Sequence, residues 1–555
     1  MANLQSSKNI LVLISIIVLF LIVSILSTSV NWIGPSELGL GSKLPLIYWV
    51  GFILVGVLWY LGKDSRNILI AAFILTLSYL YFAPTIIRVP PWISNSYYPF
   101  GESLLINESG HLVQRSSALL VSYHDWPIFL YFASAITLIT GLPHDILLKY
   151  FPLFIICLYG LFAFLILRLK LKFSYALFGA AWVLGSLFIR QQYFGPQSIS
   201  YVFFLLILLL VSWLYFEERP NRRIIMGLLI FLCTLTTFTH PLTSLMALFV
   251  IVGVFLTYRL ILGKSSTPIS ILGFFLTALW LVYNMFVASS FFTSAVRNFS
   301  DILFGERDLG LYSEPSRVVG SQAMQVNFFA SWGIVVMGVV VSLVSVYFAV
   351  RTLMKQKSGS KMAFKFFMIF SLVMFALFGF FGEYGPAEAY QRAFMFGLIP
   401  ISYLCVTLLA KKPKLLVVCL VSLFLLNIVA QYGGDTYRMA TETHLAGTKF
   451  VADNSGQDVS LVGKLSLYIR YYDPEKNLKI NTIGLNFPFT DYNASAVNEA
   501  ISDAIGEVDY VMSSDIQYNY YMYFLGLDPF EDVNLDDDCN RIYNNDRLTL
   551  FKPVN

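Results

Sequence analysis

A few polar residues that could carry out chemistry lie at the ends of long apolar runs in this sequence of 555 residues. A carboxylate can act as a general base, and an arginine can bind an oxyanion through two parallel hydrogen bonds. Histidine, glutamine and tyrosine can position a polar substrate. The candidates of these types are Glu102, His124, Asp125, Arg190, Gln191, Tyr193, Gln197, His240 and Arg392. They become a site only if the elements between them bring them to one place.

Composition indicates what those elements are. Hydrophobic residues make up 57% of the chain and charged residues only 13%, far beyond what a soluble core requires. A membrane span needs roughly 20 apolar residues. The sequence predicts an all-α polytopic membrane protein with about 13 spans, near residues 10–31, 45–62, 67–83, 147–168, 173–189, 197–216, 223–239, 241–260, 268–287, 329–350, 364–381, 392–410 and 414–431.

The distribution of basic residues predicts the orientation. Lys and Arg cluster in the short loops 63–66, 168–172, 219–223, 259–264, 351–365 and 411–414, which the positive-inside rule assigns to the cytoplasm. The amino terminus is then cytoplasmic, the carboxyl terminus extracytoplasmic, and every candidate residue lies on the outer face of the cell membrane. The Asn-x-Ser sequons at Asn107, Asn298 and Asn493 fall on that side too. The net charge of +4 follows from this topology and implies no nucleic-acid partner.

The outer segment 84–146 contains one apolar stretch, residues 126–141, that we do not count as a span. If it crossed the bilayer, every later basic loop would face outward. The segment is therefore predicted to be an interfacial helix on the outer surface, with Trp126 at the interface and Pro127 in the first turn.

The chain divides into three parts. Residues 1–66 form a transmembrane hairpin, and residues 67–431 form the main transmembrane domain with outer loops 84–146 and 288–328. The polar residues 432–555 are predicted to be a small extracytoplasmic α/β domain. Strand-like runs cover 459–462, 508–512 and 548–552, and a helical pattern covers 494–505.

The order of these features resembles the GT-C glycosyltransferases, membrane enzymes that use polyprenyl-phosphate sugars, such as the dolichyl-phosphate-mannose mannosyltransferases. The resemblance rests on the outer first loop, on the sequence from His124 to Ile128 that opens an interfacial helix, on Gly141-Leu142-Pro143, on residues 190–197 and on Arg392. It covers roughly residues 67–431. Two departures are visible: residues 84–101 lack the early acidic residue common in the family, and no Trp-Trp-Asp signature of the oligosaccharyltransferase catalytic subunit is present.

The resemblance implies roles for the candidates. Asp125 is the leading general base and Glu102 the second candidate. Substrate-binding roles fall to His124, Arg190, Gln191, Tyr193, Gln197, His240 and Arg392. The implied donor is a polyprenyl-phosphate-linked sugar and the implied acceptor a glycan or glycoprotein, with membrane lipids around the enzyme. No cofactor is assigned, and a divalent cation is left open.

Each role has a plainer alternative. Asp125 is equally placed to cap a helix, and Arg392 to extend towards the membrane interface. Residues 190–197 also suit a tight turn around Gly195-Pro196, and His240 suits a helix junction where it satisfies a backbone carbonyl. For the whole protein, the alternatives are a transporter or flippase, an oligosaccharide polymerase of a surface-glycan pathway, or a noncatalytic scaffold.

Overall fold

The computed structural model of the protein describes most of the chain. The described residues are 2–31, 33, 36, 38–91, 93–112, 124–189, 192–217, 221–264, 267–289, 292–293, 296–297, 300, 325–354, 360–381, 388–433, 435, 439–456, 458–462, 466–480, 508–515, 518, 539–545 and 547–553. The sequon residues Asn298 and Asn493, the helical pattern at 494–505 and most of loop 288–328 lie outside them.

The described part of the chain is mainly helical. In chain order the helices discussed below are α1 Ala2–Ser27, α2 Leu46–Leu61, α3 Arg66–Leu77, α4 Ala83–Ile87, α5 Tyr97–Ser109, α6 Ile128–Thr140, α7 His144–Arg168, α8 Phe173–Ser186, α9 Pro196–Phe216, α10 Arg222–Thr239, α11 Pro241–Leu256, α12 Thr267–Phe286, α13 Gln325–Leu353, α14 Ser360–Phe381, α15 Glu388–Leu409, α16 Pro413–Tyr432, α17 Glu442–Asn454 and α18 Ser466–Tyr472.

All thirteen predicted spans are helical. Within the described ranges, eleven helical segments are long and apolar enough to cross a membrane. One of them, Arg66–Ile87, joins α3 to α4 through a π-helical turn, and Pro241–Ile261 extends α11 in the same way. The other two predicted spans, α2 and α8, have only 16 and 14 residues. They pack against each other inside the bundle, where the rings of Trp59 and Phe178 lie 4.8 Å apart.

Several helices begin where the sequence places a proline. Pro196, Pro241 and Pro413 occupy the first turns of α9, α11 and α16. Proline suits this position because its fixed φ matches the helix and its missing N–H group would have no partner inside the helix. The first turns of α9 and α11 lie at the same end of the bundle, so the residues beside these prolines, Gln197 and His240, are both at that end.

The outer segment 84–146 contains two helices of 13 residues each, α5 and α6. Both end at a glycine with a left-handed backbone, Gly110 at φ +75° and Gly141 at φ +59°. The predicted helix at 126–141 is thus confirmed as α6, and its length is too short to cross a bilayer. Its buried side chains face the bundle, whereas Leu138 and Ile139 are 67% and 84% exposed.

The carboxyl-terminal domain contains a five-stranded mixed sheet. Its strands are β1 Asp458–Val462, β2 Asn477–Ile480, β3 Tyr510–Ser514, β4 Cys539–Asn544 and β5 Leu548–Pro553, in the order β2-β1-β3-β5-β4. β1 pairs in parallel with β2 and β3, and β5 pairs antiparallel with β3 and β4. The predicted strands correspond to β1, β3 and β5, which confirms the α/β class. The strands β2 and β4 were not predicted, because β2 has only four residues and β4 does not alternate between apolar and polar types.

This domain is attached to the membrane bundle by buried contacts. The rings of Tyr97 in α5 and Tyr468 in α18 lie 4.9 Å apart, and the ring of Tyr471 lies 6.0 Å from that of Phe100. Tyr471 also donates a hydrogen bond to Asp145 in the first turn of α7. Helix α18 therefore lies directly against the outer segment that contains the candidate base.

Candidate active site

The loop between α8 and α9 forms the centre of this end of the bundle. The ring of Phe194 lies 5.4 Å from that of Phe100 in α5, 5.2 Å from Phe129 in α6 and 4.8 Å from Phe151 in α7. Its backbone N–H donates to the Ser96 hydroxyl at 3.2 Å. The described stretch 192–197 is therefore fixed against the same outer segment that contains Glu102, His124 and Asp125.

Glu102 is the centre of a buried charge cluster. One of its carboxylate oxygens accepts a hydrogen bond from the Arg470 guanidinium, and the other lies 2.9 Å from Nε2 of His124. The same Arg470 Nη1 donates to the Tyr98 hydroxyl at 3.0 Å. The side chains of Glu102 and Arg470 are each 1% exposed, and that of His124 is 9% exposed. We call Tyr98, Glu102, His124 and Arg470 the Glu102 cluster.

Asp125 is next to this cluster in the chain and has a different environment. Its backbone carbonyl accepts a hydrogen bond from the Tyr283 hydroxyl of α12. Its Oδ2 atom is buried and has no hydrogen-bond partner within the described part of the chain. Burial raises the pKa of the Asp125 carboxyl group, and the nearby charge of His124 partly offsets that rise. A carboxylate with an open acceptor atom and a raised pKa is well suited to take a proton.

His240 and Arg392 are brought together at the starts of α11 and α15, and we call them the His240 pair. The imidazole is 6% exposed, and its Nδ1 lies 3.2 Å from the Thr243 hydroxyl. The pKa of His240 lies well below its usual value; burial is the larger cause, and the positive charge of Arg392 is the smaller one. His240 is therefore neutral at physiological pH, and the charge of the pair comes from Arg392.

A chain of ring contacts connects Asp125 to the His240 pair. Trp126 and Tyr283 belong to one small buried cluster with Phe238 packed against it. The rings of Phe238 and Tyr283 lie 4.7 Å apart, edge to face. Phe238 is two residues before His240 at the end of α10. Asp125 is thus connected to the end of α10, where His240 follows, through the contacts of Tyr283 and Phe238.

Two glutamines next to this region have amide atoms without partners. Gln197 in the first turn of α9 is 1% exposed, and Gln192 in the preceding loop is 2% exposed. Within the described residues, the Gln197 amide nitrogen and both Gln192 amide atoms make no hydrogen bond. Tyr193 packs its ring over Gly195, where a Cβ atom would lie 2.1 Å from the ring. Buried amides without partners are costly, so ligand or water is the expected partner for these groups.

The structure thus places seven of the nine candidate residues at one end of the bundle. It joins Glu102 to His124 and His240 to Arg392, and it places Asp125, Tyr193 and Gln197 beside them. Arg190 and Gln191 lie outside the described residues. The predicted roles of all nine residues stay predictions.

Sequence reasoning missed Arg470, Tyr98 and Tyr283. Arg470 is 368 residues from Glu102 in the chain. It lies in a polar domain where an arginine is ordinary, so no local pattern distinguishes it. A buried carboxylate does require a cation or donor, and this rule would have prompted a search for one once Glu102 was known to be buried.

Among the described residues, no group of three or more His, Cys, Asp or Glu side chains lies close enough together to hold a divalent cation. Both carboxylate oxygens of Glu102 are already engaged by Arg470 and His124. The acidic residue buried deepest at this site is therefore a partner for cations of the protein itself.

Comparison with known proteins was made at the level of sequence and of structure. No family model and no curated protein sequence matches the chain. The apo crystal structure of the oligosaccharyltransferase from Archaeoglobus fulgidus aligns with 86% of this chain and 71% of its own, at 9% identity and a TM-score of 0.52. AglB from the same organism, in complex with an inhibitory peptide and a dolichol-phosphate, has the same coverage, 12% identity and a TM-score of 0.51.

The chain has the GT-C fold. ArnT from Cupriavidus metallidurans bound to undecaprenyl phosphate aligns with 92% of this chain and 99% of its own, at 13% identity and a TM-score of 0.43. The two Archaeoglobus fulgidus structures confirm the predicted resemblance at the level of the fold. The GT-C fold accounts for the multi-pass helices, and the small α/β domain follows them in the chain.

Proposed function

We propose that this protein is a membrane glycosyltransferase that transfers a sugar from a polyprenyl (dolichyl) phosphate donor to a lipid-linked or surface glycan or glycoprotein acceptor on the outer face. The observation that carries the proposal is that Asp125, through the contacts of Tyr283 and Phe238, is connected to the helix end beside the His240 pair in a GT-C fold. A general base and an anion-binding group are the two components that such a transfer needs. The dolichol-phosphate in the AglB complex supports this class of donor.

The proposed reaction assigns one task to each group. The Asp125 carboxylate accepts the proton of an acceptor hydroxyl as its oxygen attacks the anomeric carbon of the donor. The bond between that carbon and the phosphate oxygen breaks, and the bonding electrons leave with the polyprenyl phosphate. The negative charge that develops there is stabilised by Arg392, whose guanidinium suits a phosphate in bidentate geometry. The first turns of α9 and α11 add the positive ends of two helix dipoles.

The neutral state of His240 supports this assignment. A second positive charge beside Arg392 would be repelled by the guanidinium and would cost desolvation energy in a buried site. A neutral imidazole can instead donate or accept a hydrogen bond. Gln197, in the first turn of α9, has a buried amide nitrogen that can donate to a sugar hydroxyl or a phosphate oxygen.

The test is transfer of radiolabelled sugar from synthetic polyprenyl-phosphate donors to a membrane glycan fraction, with purified protein in liposomes. Loss of a general base typically lowers the rate by about 10²–10⁴-fold, so Asp125→Asn should reduce label in the product by that factor. Glu108→Gln is the matched control, because Glu108 is an exposed acid of α5 outside the Glu102 cluster. It should transfer at the wild-type rate.

The outcomes separate the hypotheses. Labelled product that depends on Asp125 and Arg392 supports the proposed enzyme. Transfer that is unchanged in Asp125→Asn keeps the glycosyltransferase and rejects this base. If the wild type gives no product with any donor, while labelled donor crosses the liposome membrane, the protein is a flippase and the proposal is wrong.

A further inference from the structure

The Glu102 cluster connects two domains at a distance that only glycine permits. Residue 101 of α5 is a glycine whose missing Cβ atom would lie 2.6 Å from the carbonyl oxygen of Arg470 and 2.8 Å from its Cβ. Real Cβ atoms do not approach backbone atoms so closely. Gly101 therefore lets the backbone of α18 lie directly against α5, which brings the Arg470 guanidinium to Glu102.

The guanidinium is held from three directions. Its Nη1 donates both to Glu102 and to the Tyr98 hydroxyl, and its Nε donates to the Lys476 carbonyl at 3.3 Å. The Arg470 side chain is 1% exposed. A buried arginine with this many contacts has one orientation, and it imposes one orientation on the Glu102 carboxylate.

From Glu102 the contacts continue towards the base. The second carboxylate oxygen is 2.9 Å from Nε2 of His124, and His124 is bonded through the backbone to Asp125. When His124 is protonated, the charges of these four residues alternate in sign: Arg470 positive, Glu102 negative, His124 positive and Asp125 negative. The carbonyl of Asp125 is held separately by the Tyr283 hydroxyl. The Asp125 base is thus held on one side by Tyr283 of α12. On the other side it is held by the carboxyl-terminal domain, which acts through Glu102 and His124.

We propose that Arg470 is a positioning residue for sugar transfer, which acts through Glu102 and His124 to hold the Asp125 carboxylate in place. This inference rests on the proposed function, because it concerns the same base. It gives the carboxyl-terminal domain a part in the chemistry, although none of its residues needs to touch the substrate. It also explains why Glu102 is better placed as a partner of His124 than as a base.

The arrangement predicts how acid affects the reaction. In the described part of the chain, the charged and titratable groups in the hydrogen-bond network around His124 and Asp125 include Glu102 and Tyr98 from α5, Arg470 from α18 and Tyr283 from α12. The charge of His124 opposes the rise that burial causes in the pKa of Asp125. Glu102 stabilises that charge. Removing the Glu102 carboxylate should therefore let the pKa of Asp125 rise further, and the low-pH limb of the rate profile should move to higher pH.

The experiment is a double-mutant cycle on sugar transfer with Arg470→Met, Glu102→Gln and the two combined, each measured across pH. Each single change should lower kcat by on the order of 10²-fold, the loss that about 1 Å of misplacement causes, with KM for the donor nearly unchanged. The double variant should lose little more than either single variant, because both changes break the same path. Glu102→Gln and the double variant should show the shifted acid limb. Arg541→Met is the matched control, since Arg541 is an exposed arginine of β4.

Two results overturn the inference: an acid limb at its wild-type position in Glu102→Gln, or losses that multiply in the double variant. The double variant leaves no unpaired buried charge, so it provides the test even if Arg470→Met alone does not fold. Wild-type protein that transfers no sugar refutes the proposed function instead. If the wild type is active and all three variants keep its kcat and its pH profile, only the proposed role of Arg470 is refuted.

Discussion

The buried ion pair between Arg88 and Asp435 gives a stability prediction whose size follows from the structure. Arg88 comes directly after α4, and Asp435 lies three residues beyond the end of α16. Both side chains are 0% exposed, and the guanidinium also lies 4.6 Å from the centre of the Tyr432 ring. Replacing one member of a buried pair leaves the other charge without compensation, which costs about 3–5 kcal/mol. We therefore expect Arg88→Met to lower the free energy of unfolding by that amount.

The double replacement distinguishes the charge effect from lost packing. Exchanging both members of a buried pair for apolar residues is often neutral or stabilising. Arg88→Met with Asp435→Leu should accordingly recover most of the loss. The assay is denaturation in mixed detergent micelles, with the free energy of unfolding taken from the folded fraction.

A second ion pair at the opposite end of the bundle is the control. Lys170 Nζ lies 2.9 Å from Glu217 Oε1, with side-chain exposures of 11% and 31%. Partly exposed pairs contribute about 0–1 kcal/mol, so Lys170→Met should change stability little. The reasoning fails if Arg88→Met costs no more than Lys170→Met, or if the double variant is as unstable as Arg88→Met alone.

Three further predictions concern the reaction, a glycine and the candidate phosphate ligand. Because the pKa of Asp125 is raised above the usual 3.8, its carboxylate, which is the active form of the base, is protonated at a higher pH than that of an ordinary aspartate. The rate of sugar transfer should therefore begin to decline at a higher pH as the solution is made more acidic. A pH–rate profile measures this decline. Gly39→Ala should prevent folding, because φ at this residue is +52° and a Cβ would lie 1.6 Å from the Tyr432 carbonyl oxygen. Gly141→Ala should lower the free energy of unfolding by only about 1 kcal/mol, because φ is +59° there but the space around the residue is open. Equal thermal stability of the two variants would contradict this prediction. Arg392→Lys keeps the charge and loses the bidentate geometry, so it should raise KM for the donor, and unchanged donor kinetics would argue against phosphate binding there.

Much of the membrane architecture was predictable because hydrophobic length is a strong local signal. Every apolar run became a helix, and a separate helix at 128–140 followed from the charge rule applied to the loops around it. The helices α2 and α8 are shorter than the apolar runs that predicted them, because composition alone does not reveal where a helix begins and ends. In the sheet, β2 was missed because it has only four residues, and β4 was missed because its residues do not alternate between apolar and polar types.

The candidate site was predictable only in part. Sidedness placed Asp125, His240 and Arg392 at one end, since helix ends alternate along the chain. The pairing of His240 with Arg392 depends on how α11 and α15 pack, and no spacing in the sequence contains that information. The same is true of Arg470, because it belongs to a domain that follows the whole helix bundle in the sequence and nothing local indicates its contact with Glu102.

The two buried ion pairs also bear on how the protein is made. Arg88 and Asp435 are 347 residues apart, and Glu102 and Arg470 are 368 residues apart, so each pair joins an early part of the chain to a late one. During synthesis Glu102 emerges long before Arg470 exists, and a carboxylate without its cation cannot be buried cheaply. The outer segment around Glu102 is therefore expected to stay hydrated until residues 466–472 have been translocated. Assembly of the site then becomes one of the last steps of folding, and a nascent chain with all its spans inserted would still lack an ordered base.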